Sequence, residues 1–357
     1  MTVYENGVNP IPGAAVSTHA SASDPHTGYR LESADHSHLT TGLQGGTLTA
    51  TGLPQGRLTL TTGVPVLAAT VAASATVLYT PYIGNMVPIW DGAKFVSTAF
   101  TELTNTLANA TTNPAAAIAA SNYDLFVWSN AGTLTLSRGP LWTSDTGRGT
   151  GAGTTELTRV NGILTNTVAI TNGPGAGLGT YLGTVRTDAG GATVSWSTGG
   201  TAAGGTPGTL HVWNMYNRVI STAAVNDASA SWTYTSSTVR AANASNGNRV
   251  SFVRGVNEDG VSATYTQTIT APAVIGAYGI IGIGIDSVTA YAAAGLSTLG
   301  EQSNNAAVAL FGTPAARYSA LPGLGFHYLQ ALEQANNTNA ATFGGGGLNL
   351  FETLVRA

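Results

Sequence analysis

Short runs of alternating apolar and polar residues, each closed by a turn signal, constrain this chain more than any other feature of its sequence. In 57–61, leucines alternate with arginine and threonine, which is the two-residue period of a half-buried strand. Asp-Gly at 91–92 and Asn-Gly at 161–162 separate such runs, and these pairs favour tight hairpins because they tolerate a positive φ. We therefore expect a fold made almost entirely of short strands.

The same pattern continues along most of the chain. Helical periodicity is nearly absent, since only 113–121 and 302–311 favour a turn or two of helix. The close spacing of the turn signals predicts an all-β fold with antiparallel β-sandwich or jelly-roll-like domains. The further strand-like runs are 75–85, 86–96, 123–137, 156–167, 180–187, 191–198, 209–221, 230–237, 248–269, 273–286 and 326–345.

Residues 1–56 differ from the rest of the chain because few apolar side chains stand among many Gly, Ser, Thr and Pro residues. A segment of this composition buries too little apolar surface to offset its conformational entropy. We expect it to be an extended attachment segment that is held in place by copies of itself, by its own downstream domain or by a host structure. The remainder is predicted to form a central β-sandwich-like domain, 57–204, and a C-terminal β domain, 205–357.

Charged residues are sparse, with 13 Lys and Arg and 17 Asp and Glu among 357 residues. The basic residues occur singly, so no basic stripe is available for a run of phosphates and we expect no nucleic-acid binding. The absence of cysteine excludes disulfides and thiolate metal sites. The apolar stretch 271–286 is short and glycine-rich, and the N-terminal stretch is neither basic nor apolar, so we expect neither membrane insertion nor a secretory signal.

His36 and His38 are the candidate metal ligands of the sequence. In an extended segment, alternate residues share a face and lie about 7 Å apart. Three copies around an axis would supply six imidazoles, a ligand set that suits iron or another first-row metal. The alternative is a pair of solvated histidines that hydrogen-bond within a loop. We expect no other cofactor.

The carboxylates and glycine-rich segments show no signature of catalysis. Glu258 and Asp259 directly precede Gly260, which indicates a solvated hairpin turn instead of the spaced carboxylate pair that glycoside hydrolysis requires. The glycine-rich 172–179 and 279–284 lack the spacing of a phosphate loop. Most other aspartates are typical of turns, namely Asp91, Asp124, Asp145, Asp188, Asp227 and Asp286. We expect no enzyme, although carboxylates from different chains can still converge.

The aromatic residues fall into two groups. The six tryptophans are spread about one per strand, so we expect them in the core, with sugar-stacking positions as the alternative. Phe326, His327 and Tyr328 stand together near the end of the sequence. We interpret this cluster as a distal surface, and the alternative is burial at a subunit interface.

Two blocks of the sequence resemble the fibre proteins of tailed bacteriophages. ADHSHLTTGLQGG (34–46) is similar to their N-terminal adaptor segments. The block RLTLTTGVPV…LYTPYIGNMVPIWDGAKF…YDLFVWSNAGTLTL resembles a β-rich module of phage and prophage tail or head fibres, and YLGTVRT, WNMYNRV and SWTYT continue it. The resemblance covers residues 33 to 270, roughly.

The resemblance implies a virion structural protein, a homotrimeric tail fibre or spike that docks to the particle by its N-terminus and attaches to the host cell. Its implied partners are copies of itself, tail, baseplate or capsid proteins, and a bacterial surface glycan or protein. A capsid-attached head fibre or decoration protein, a glycan-depolymerising tailspike and a bacterial surface lectin are the alternatives. The residues expected to contact the particle are Asp35, His36, His38, Leu39 and Leu43.

Overall fold

The computed structural model describes residues 3–5, 9–11, 52–294, 298–344 and 349–357. These residues form 29 strands and no α-helix, and their single helical element is a 3-10 turn at Ala242–Ala244. The predicted all-β class is therefore confirmed, whereas the weak helix predictions at 113–121 and 302–311 are wrong. The chain divides into two compact units, 1–50 and 51–357.

The strands up to the middle of the chain are mostly short, as the spacing of turn signals predicts. They are β1 (Val3–Glu5), β2 (Asn9–Ile11), β3 (Gly56–Thr59), β4 (Val71–Ser74), β5 (Thr76–Pro81), β6 (Met86–Trp90), β7 (Phe95–Ala99), β8 (Leu103–Thr106), β9 (Asn122–Asn130), β10 (Thr133–Leu141), β11 (Leu157–Val160), β12 (Ile163–Asn166), β13 (Thr180–Arg186), β14 (Val194–Ala202) and β15 (Thr206–Leu210).

The second half of the chain adds the strands that build most of the largest sheet. They are β16 (Val212–Asn214), β17 (Ile220–Asp227), β18 (Ser231–Tyr234), β19 (Arg240–Ala241), β20 (Arg249–Arg254), β21 (Val261–Gln267), β22 (Ile269–Ala271), β23 (Tyr278–Ile285), β24 (Thr298–Gln302), β25 (Leu310–Gly312), β26 (Ala315–Ala320), β27 (Gly325–Ala335), β28 (Ala341–Gly344) and β29 (Asn349–Arg356).

Five of the described sheets are small and antiparallel. In the first unit, β1 pairs with β2. In the second unit, a six-stranded sheet has the order β10-β9-β13-β12-β11 with β16 on β13, and a four-stranded sheet has the order β18-β28-β22-β25. A three-stranded sheet, β3-β5-β8, and the hairpin β6-β7 complete this set.

The largest sheet has twelve strands and curls like a half-barrel. Its order is β24-β23-β27-β20-β15-β14-β17-β29-β21-β26, with β19 on β27 and β4 on β14. It is mixed, because β15 with β20 and β14 with β17 are parallel pairs. The predicted domain boundary at 204/205 falls in the turn between the paired strands β14 and β15.

The turn signals place most hairpins correctly. Asn161 and Gly162 have φ of 50° and 85°, and Ala131 and Gly132 have φ of 50° and 87°, as the two central residues of a type I′ turn require. The loop after β6 is closed by the side chain of Asp91. The hairpin predicted around 258–260 is wrong, because β20 and β21, which this segment joins, pair with other strands.

Alternating side chains of these strands build the core. Along β29, Phe351 and Val355 are buried whereas Leu350 and Leu354 are exposed. A separate apolar cluster joins β20 to the six-stranded sheet, where Val253 shares a cluster with buried residues of β9, β13 and β16. Three tryptophans are buried, namely Trp142, Trp196 and Trp213. The other three are half-buried, namely Trp90, Trp128 and Trp232.

Candidate binding face

Strand β27 presents two half-buried aromatic rings, Phe326 and Tyr328, on one face of the twelve-stranded sheet. The two-residue alternation places His327 on the opposite face, where it is buried. Its Nδ1 lies 2.7 Å from Asp286 Oδ2. We call the first face, with the neighbouring side chains that frame it, the aromatic face, and define it by Arg186, His211, Arg249, Ser251, Phe326 and Tyr328.

Arg186 fixes the ring of Phe326. The Cζ of Arg186 lies 4.1 Å from the ring centroid of Phe326, which is a cation–π contact. The same guanidinium is ion-paired with Asp145 and donates to Asn122 Oδ1 over 3.2 Å. The ring of His211 meets Phe326 edge-on, with centroids 5.7 Å apart. Phe326 is therefore held on two sides.

Arg249 covers the ring of Tyr328 in the same way, with its Cζ 4.1 Å from the ring centroid. Its Nε donates to Gln330 Oε1 over 2.9 Å, and its Nη2 donates to Asn246 Oδ1 over 3.1 Å. Burial lowers the pKa of Arg249. Because both hydrogen-bond acceptors are neutral amides, no carboxylate of the described residues balances this positive charge.

Three polar side chains form a line beside these rings. The Nε2 of His211 lies 3.0 Å from Ser251 Oγ, and its Nδ1 lies 3.6 Å from Asp188 Oδ1. The other carboxylate oxygen of Asp188 accepts hydrogen bonds from Thr193 Oγ1 and Ser195 Oγ, both over 2.8 Å. The carboxylate therefore has fixed partners on both sides.

The pKa shifts in this line favour a carboxylate next to a neutral imidazole. Burial lowers the pKa of His211, and this effect outweighs the opposite effect of Asp188. Burial alone would raise the pKa of Asp188, but the interactions with His211, Thr193 and Ser195 outweigh it and lower that pKa. At neutral pH the imidazole is therefore a hydrogen-bonding group without charge.

The order carboxylate, imidazole, hydroxyl matches the order of groups in a serine hydrolase, but the backbone context differs. Ser251 lies within β20, opposite Thr209 of β15 on one side and Tyr328 of β27 on the other. Its backbone N–H therefore belongs to a sheet ladder and is not free to stabilise an oxyanion. The Oγ also lies 3.3 Å from the carbonyl oxygen of Gly208. The arrangement fixes a hydroxyl and an imidazole on a rigid surface.

A fully buried carboxylate of the second unit, Asp124, is structural. Asp124, for which the sequence indicated a turn, lies within β9 and is inaccessible to solvent. Its Oδ2 lies 2.7 Å from Arg148 Nε and accepts from Trp142 Nε1 over 3.0 Å and Thr155 Oγ1 over 2.6 Å. Its Oδ1 accepts from Thr184 Oγ1 over 2.6 Å. Both oxygens of this carboxylate are occupied by donors from the fold itself, so the carboxylate has no free side for a substrate.

Three further acidic residues are also paired with arginines within the chain. Arg218 is ion-paired with both Glu258 and Asp259, so this adjacent pair is not a free acid and base. The buried Glu333 accepts from Trp232 Nε1 over 2.6 Å and from Arg240 Nε over 2.9 Å. Burial raises the pKa of Glu333 against the opposing effect of these donors.

The metal and docking predictions fall on a different part of the chain. Asp35, His36, His38, Leu39 and Leu43 lie outside the described residues. Within the part that the structure describes, no group of three or more His, Asp or Glu side chains is arranged to hold a metal ion. No described helix is long and apolar enough to span a bilayer.

The sequence pattern predicts only part of the aromatic face. The i, i+2 spacing of Phe326 and Tyr328 within a strand-like run indicates a common face. Arg249, Ser251 and His211 come from distant positions, and no local signal connects them to β27. A search against protein families found no family that matches the chain, and a search of curated proteins found no match.

Proposed function

We propose that the chain is a bacteriophage virion structural protein, a homotrimeric tail fibre or spike. In this proposal, residues 1–56 form an extended segment that anchors it to the particle, and sandwich-like or jelly-roll-like domains present a surface to the host cell. The resemblance of 34–46 to fibre adaptor segments supports the anchoring role. The low charge and the all-β body suit a protein that is held in an assembly.

The observation that carries the attachment role is the aromatic face. Two half-buried aromatic rings, each in contact with a guanidinium group, lie on one face of a rigid sheet, and Ser251 lies opposite Tyr328 on the neighbouring strand. Flat apolar faces of sugar rings pack on aromatic rings, while sugar hydroxyls and carboxylates bond to arginine and serine. Because Arg249 has no carboxylate partner among the described residues, we expect an acidic envelope glycan.

The anchoring role assigns Asp35, His36, His38, Leu39 and Leu43 to contacts with the particle. A first-row metal held by His36 and His38 across a three-fold axis is part of this proposal. Elemental analysis of purified particles tests it, because about one metal ion per trimer is expected and loss on His36→Ala follows.

Binding of the purified full-length chain to host cells and to their extracted surface glycans tests the attachment role. We expect Tyr328→Ala to lower the affinity about tenfold or more, since one stacking platform is lost. Leu141→Glu, which changes an exposed leucine of β10, is the matched control and should bind like the wild type. Equal affinity of wild type and Tyr328→Ala would contradict the assignment.

The location on the virion is tested separately. Antibodies against the chain should label fibres or spikes on particles of the phage that encodes it. Label at the tail or baseplate supports a tail fibre, label at the capsid supports the head-fibre alternative, and unlabelled particles would overturn the virion assignment. Release of reducing sugar from host glycan would instead favour the tailspike enzyme.

A further inference from the structure

Four consecutive strands at one end of the twelve-stranded sheet leave a second face open. The strands follow the order β17-β29-β21-β26, and all three neighbouring pairs are antiparallel. Their inward side chains, including Phe351, Val355 and Tyr265, are buried in the core. The outward residues are Ile220, Thr222, Ala224, Asn226, Ser262, Thr264, Thr266, Ala315, Arg317, Ser319, Leu350, Glu352, Leu354 and Arg356.

Three large apolar side chains on this face are exposed to solvent. Ile220 is 64% exposed, Leu350 is 42% exposed and Leu354 is 38% exposed. Leu354 shares a cross-strand row with two hydroxyl residues, Ser262 of β21 and Ser319 of the edge strand β26. Leucine and small hydroxyl side chains on a flat sheet allow a second sheet to approach closely.

A shallow groove lies at one end of this face, beside the start of β17 and the end of β29. It has a volume of about 180 Å³. Its lining combines apolar and small residues with one arginine, so an apolar side chain of a facing surface fits into it. The lining residues are Ile220, Gly260, Ser262, Leu354, Val355 and Arg356.

The centre of the face carries two opposite charges that do not meet. Arg317, Thr264 and Glu352 form one cross-strand row on β26, β21 and β29. Two strand spacings, about 10 Å, separate the backbone of the arginine from that of the glutamate. Neither side chain forms an ion pair with any described residue. The face therefore offers both halves of an ion pair to a partner that carries the same pair.

We propose that this surface, which we call the leucine face and define by Ile220, Arg317, Leu350, Glu352 and Leu354, packs against the leucine face of a second copy of the chain. When two such faces meet, Arg317 of each copy lies over Glu352 of the other, and the leucines are covered. Because both copies use the same patch, the contact is isologous and forms a two-fold pair, whereas a three-fold ring requires two different patches. The proposal goes beyond the proposed function, because the homotrimer expected there would use a different surface.

The size of the face fits such a contact. Four strands of six to eight residues cover roughly 20 Å by 24 Å, so two faces together bury on the order of 1,000 Å². This area is near the lower limit of about 1,000 Å² for a specific protein interface. Thus the leucine face is large enough for a specific contact that a single charge can disrupt.

The test measures the mass of the full-length chain in solution by light scattering over a range of concentrations. We expect the wild type to associate in pairs, and a fall in the association constant of about tenfold or more for Leu354→Glu, which buries a charge between the faces. Leu141→Glu places the same charge on an exposed leucine of another sheet and should associate normally. Thermal unfolding of each variant checks that the fold is intact.

A charge exchange makes the test specific for the arginine–glutamate pair. Arg317→Glu and Glu352→Arg should each weaken association, since each places like charges opposite one another. The double variant Arg317→Glu/Glu352→Arg should restore it, because the faces again match. A monomeric wild type, or association that Leu354→Glu leaves unchanged, would overturn the inference.

The outcome is separable from that of the proposed function. Binding to host glycan is measured on the same variants, and the aromatic face does not include any residue of the leucine face. Normal glycan binding by a variant that no longer associates would support both assignments. Association through another surface alone, with glycan binding intact, would overturn the leucine face and leave the attachment role standing.

Discussion

The imidazole of His211 lies 3.0 Å from the hydroxyl of Ser251, although 40 positions separate the two residues in sequence. The pairing depends on the parallel contact between β15 and β20, since His211 directly follows β15. Through this contact, His211 links the half-buried carboxylate of Asp188 to Ser251 on the aromatic face. The stability of this region should therefore depend on the protonation of His211.

Acidification should destabilise the protein through His211. Burial lowers the pKa of this residue in the folded state, so below the usual histidine pKa of about 6.5 the unfolded state binds more protons. The contribution to stability is present above that pH and is lost as the pH falls. We expect the free energy of unfolding, measured with urea at about pH 7.5 and about pH 5.5, to fall more in the wild type than in His211→Gln. Equal losses in both proteins would contradict this role.

Replacement of Asp227 by Asn should weaken the turn that follows β17. The Oδ2 atom of Asp227 accepts from Asn243 Nδ2 over 2.9 Å and from Asn248 Nδ2 over 3.0 Å. Burial alone would raise its pKa, but these bonds outweigh burial and lower the pKa to about 2. At neutral pH we expect a loss of about 1–2 kcal/mol in the free energy of unfolding, allowing for screening by solvent.

The pH dependence of Asp227 provides the control for that variant. Because its pKa is lowered, its contribution is present above the usual aspartate pKa of about 3.9 and is lost as the pH falls towards 2. The difference between wild type and Asp227→Asn should therefore shrink in acid. A difference that stays constant down to about pH 2 would show that the charge is not its source.

Replacement of Asp124 by Asn should be more damaging, because it leaves the buried guanidinium of Arg148 without a counter-charge. Arg148 donates to both carboxylate oxygens, over 2.7 Å and 3.0 Å. Breaking a buried ion pair from one side costs about 3–5 kcal/mol. Urea unfolding of Asp124→Asn, Arg148→Met and the double variant should show strong coupling. Additive losses would contradict a direct interaction.

Arg249 should give glycan binding its dependence on charge. We expect Arg249→Gln to bind acidic glycans about tenfold more weakly and to lose most of the salt dependence of binding, because the balancing cation is removed. Neutral glycans should bind wild type and variant equally. Arg317→Gln changes an arginine on the leucine face and is the matched control. A uniform loss for acidic and neutral glycans would indicate a packing role.

Gly255 should not tolerate a side chain. A Cβ atom at this position would lie 2.5 Å from a ring carbon of Trp213 and 2.6 Å from Thr184 Oγ1, and would also meet the hydroxyl of Tyr181. We expect Gly255→Ala to lower the free energy of unfolding by about 1–3 kcal/mol or more. Gly190→Ala, where no atom lies within 4 Å, should be close to neutral. Similar losses for both variants would contradict the close packing.

Local chemistry made the hairpins predictable and left the sheet order open. Asn161-Gly162 forms a hairpin because the two residues themselves adopt the required positive φ. The pairing of β20 with β27 joins 249–254 to 325–330, and no adjacent residue encodes it. Such pairings depend on which apolar faces meet in the core, and a single sequence does not contain that information in a local pattern.

Local pattern likewise predicts some of the site residues, whereas tertiary contacts determine the others. Alternation along β27 predicts that Phe326 and Tyr328 share a face, and it equally predicts that His327 does not. Asp124 was interpreted as a turn residue because aspartate is common in turns, whereas tertiary contacts with Arg148 and three other donors stabilise it inside a strand. Long-range charge pairing of this kind overrides local propensity.

The position of β29 has a consequence for synthesis of the chain on the ribosome. This strand follows every other described strand in sequence, yet it lies between β17 and β21. Until it emerges from the exit tunnel, both neighbours have an edge without a partner, and such edges pair readily with other chains. The nascent protein therefore cannot close its largest sheet early, and its yield should depend on protection during the interval before the last strand arrives.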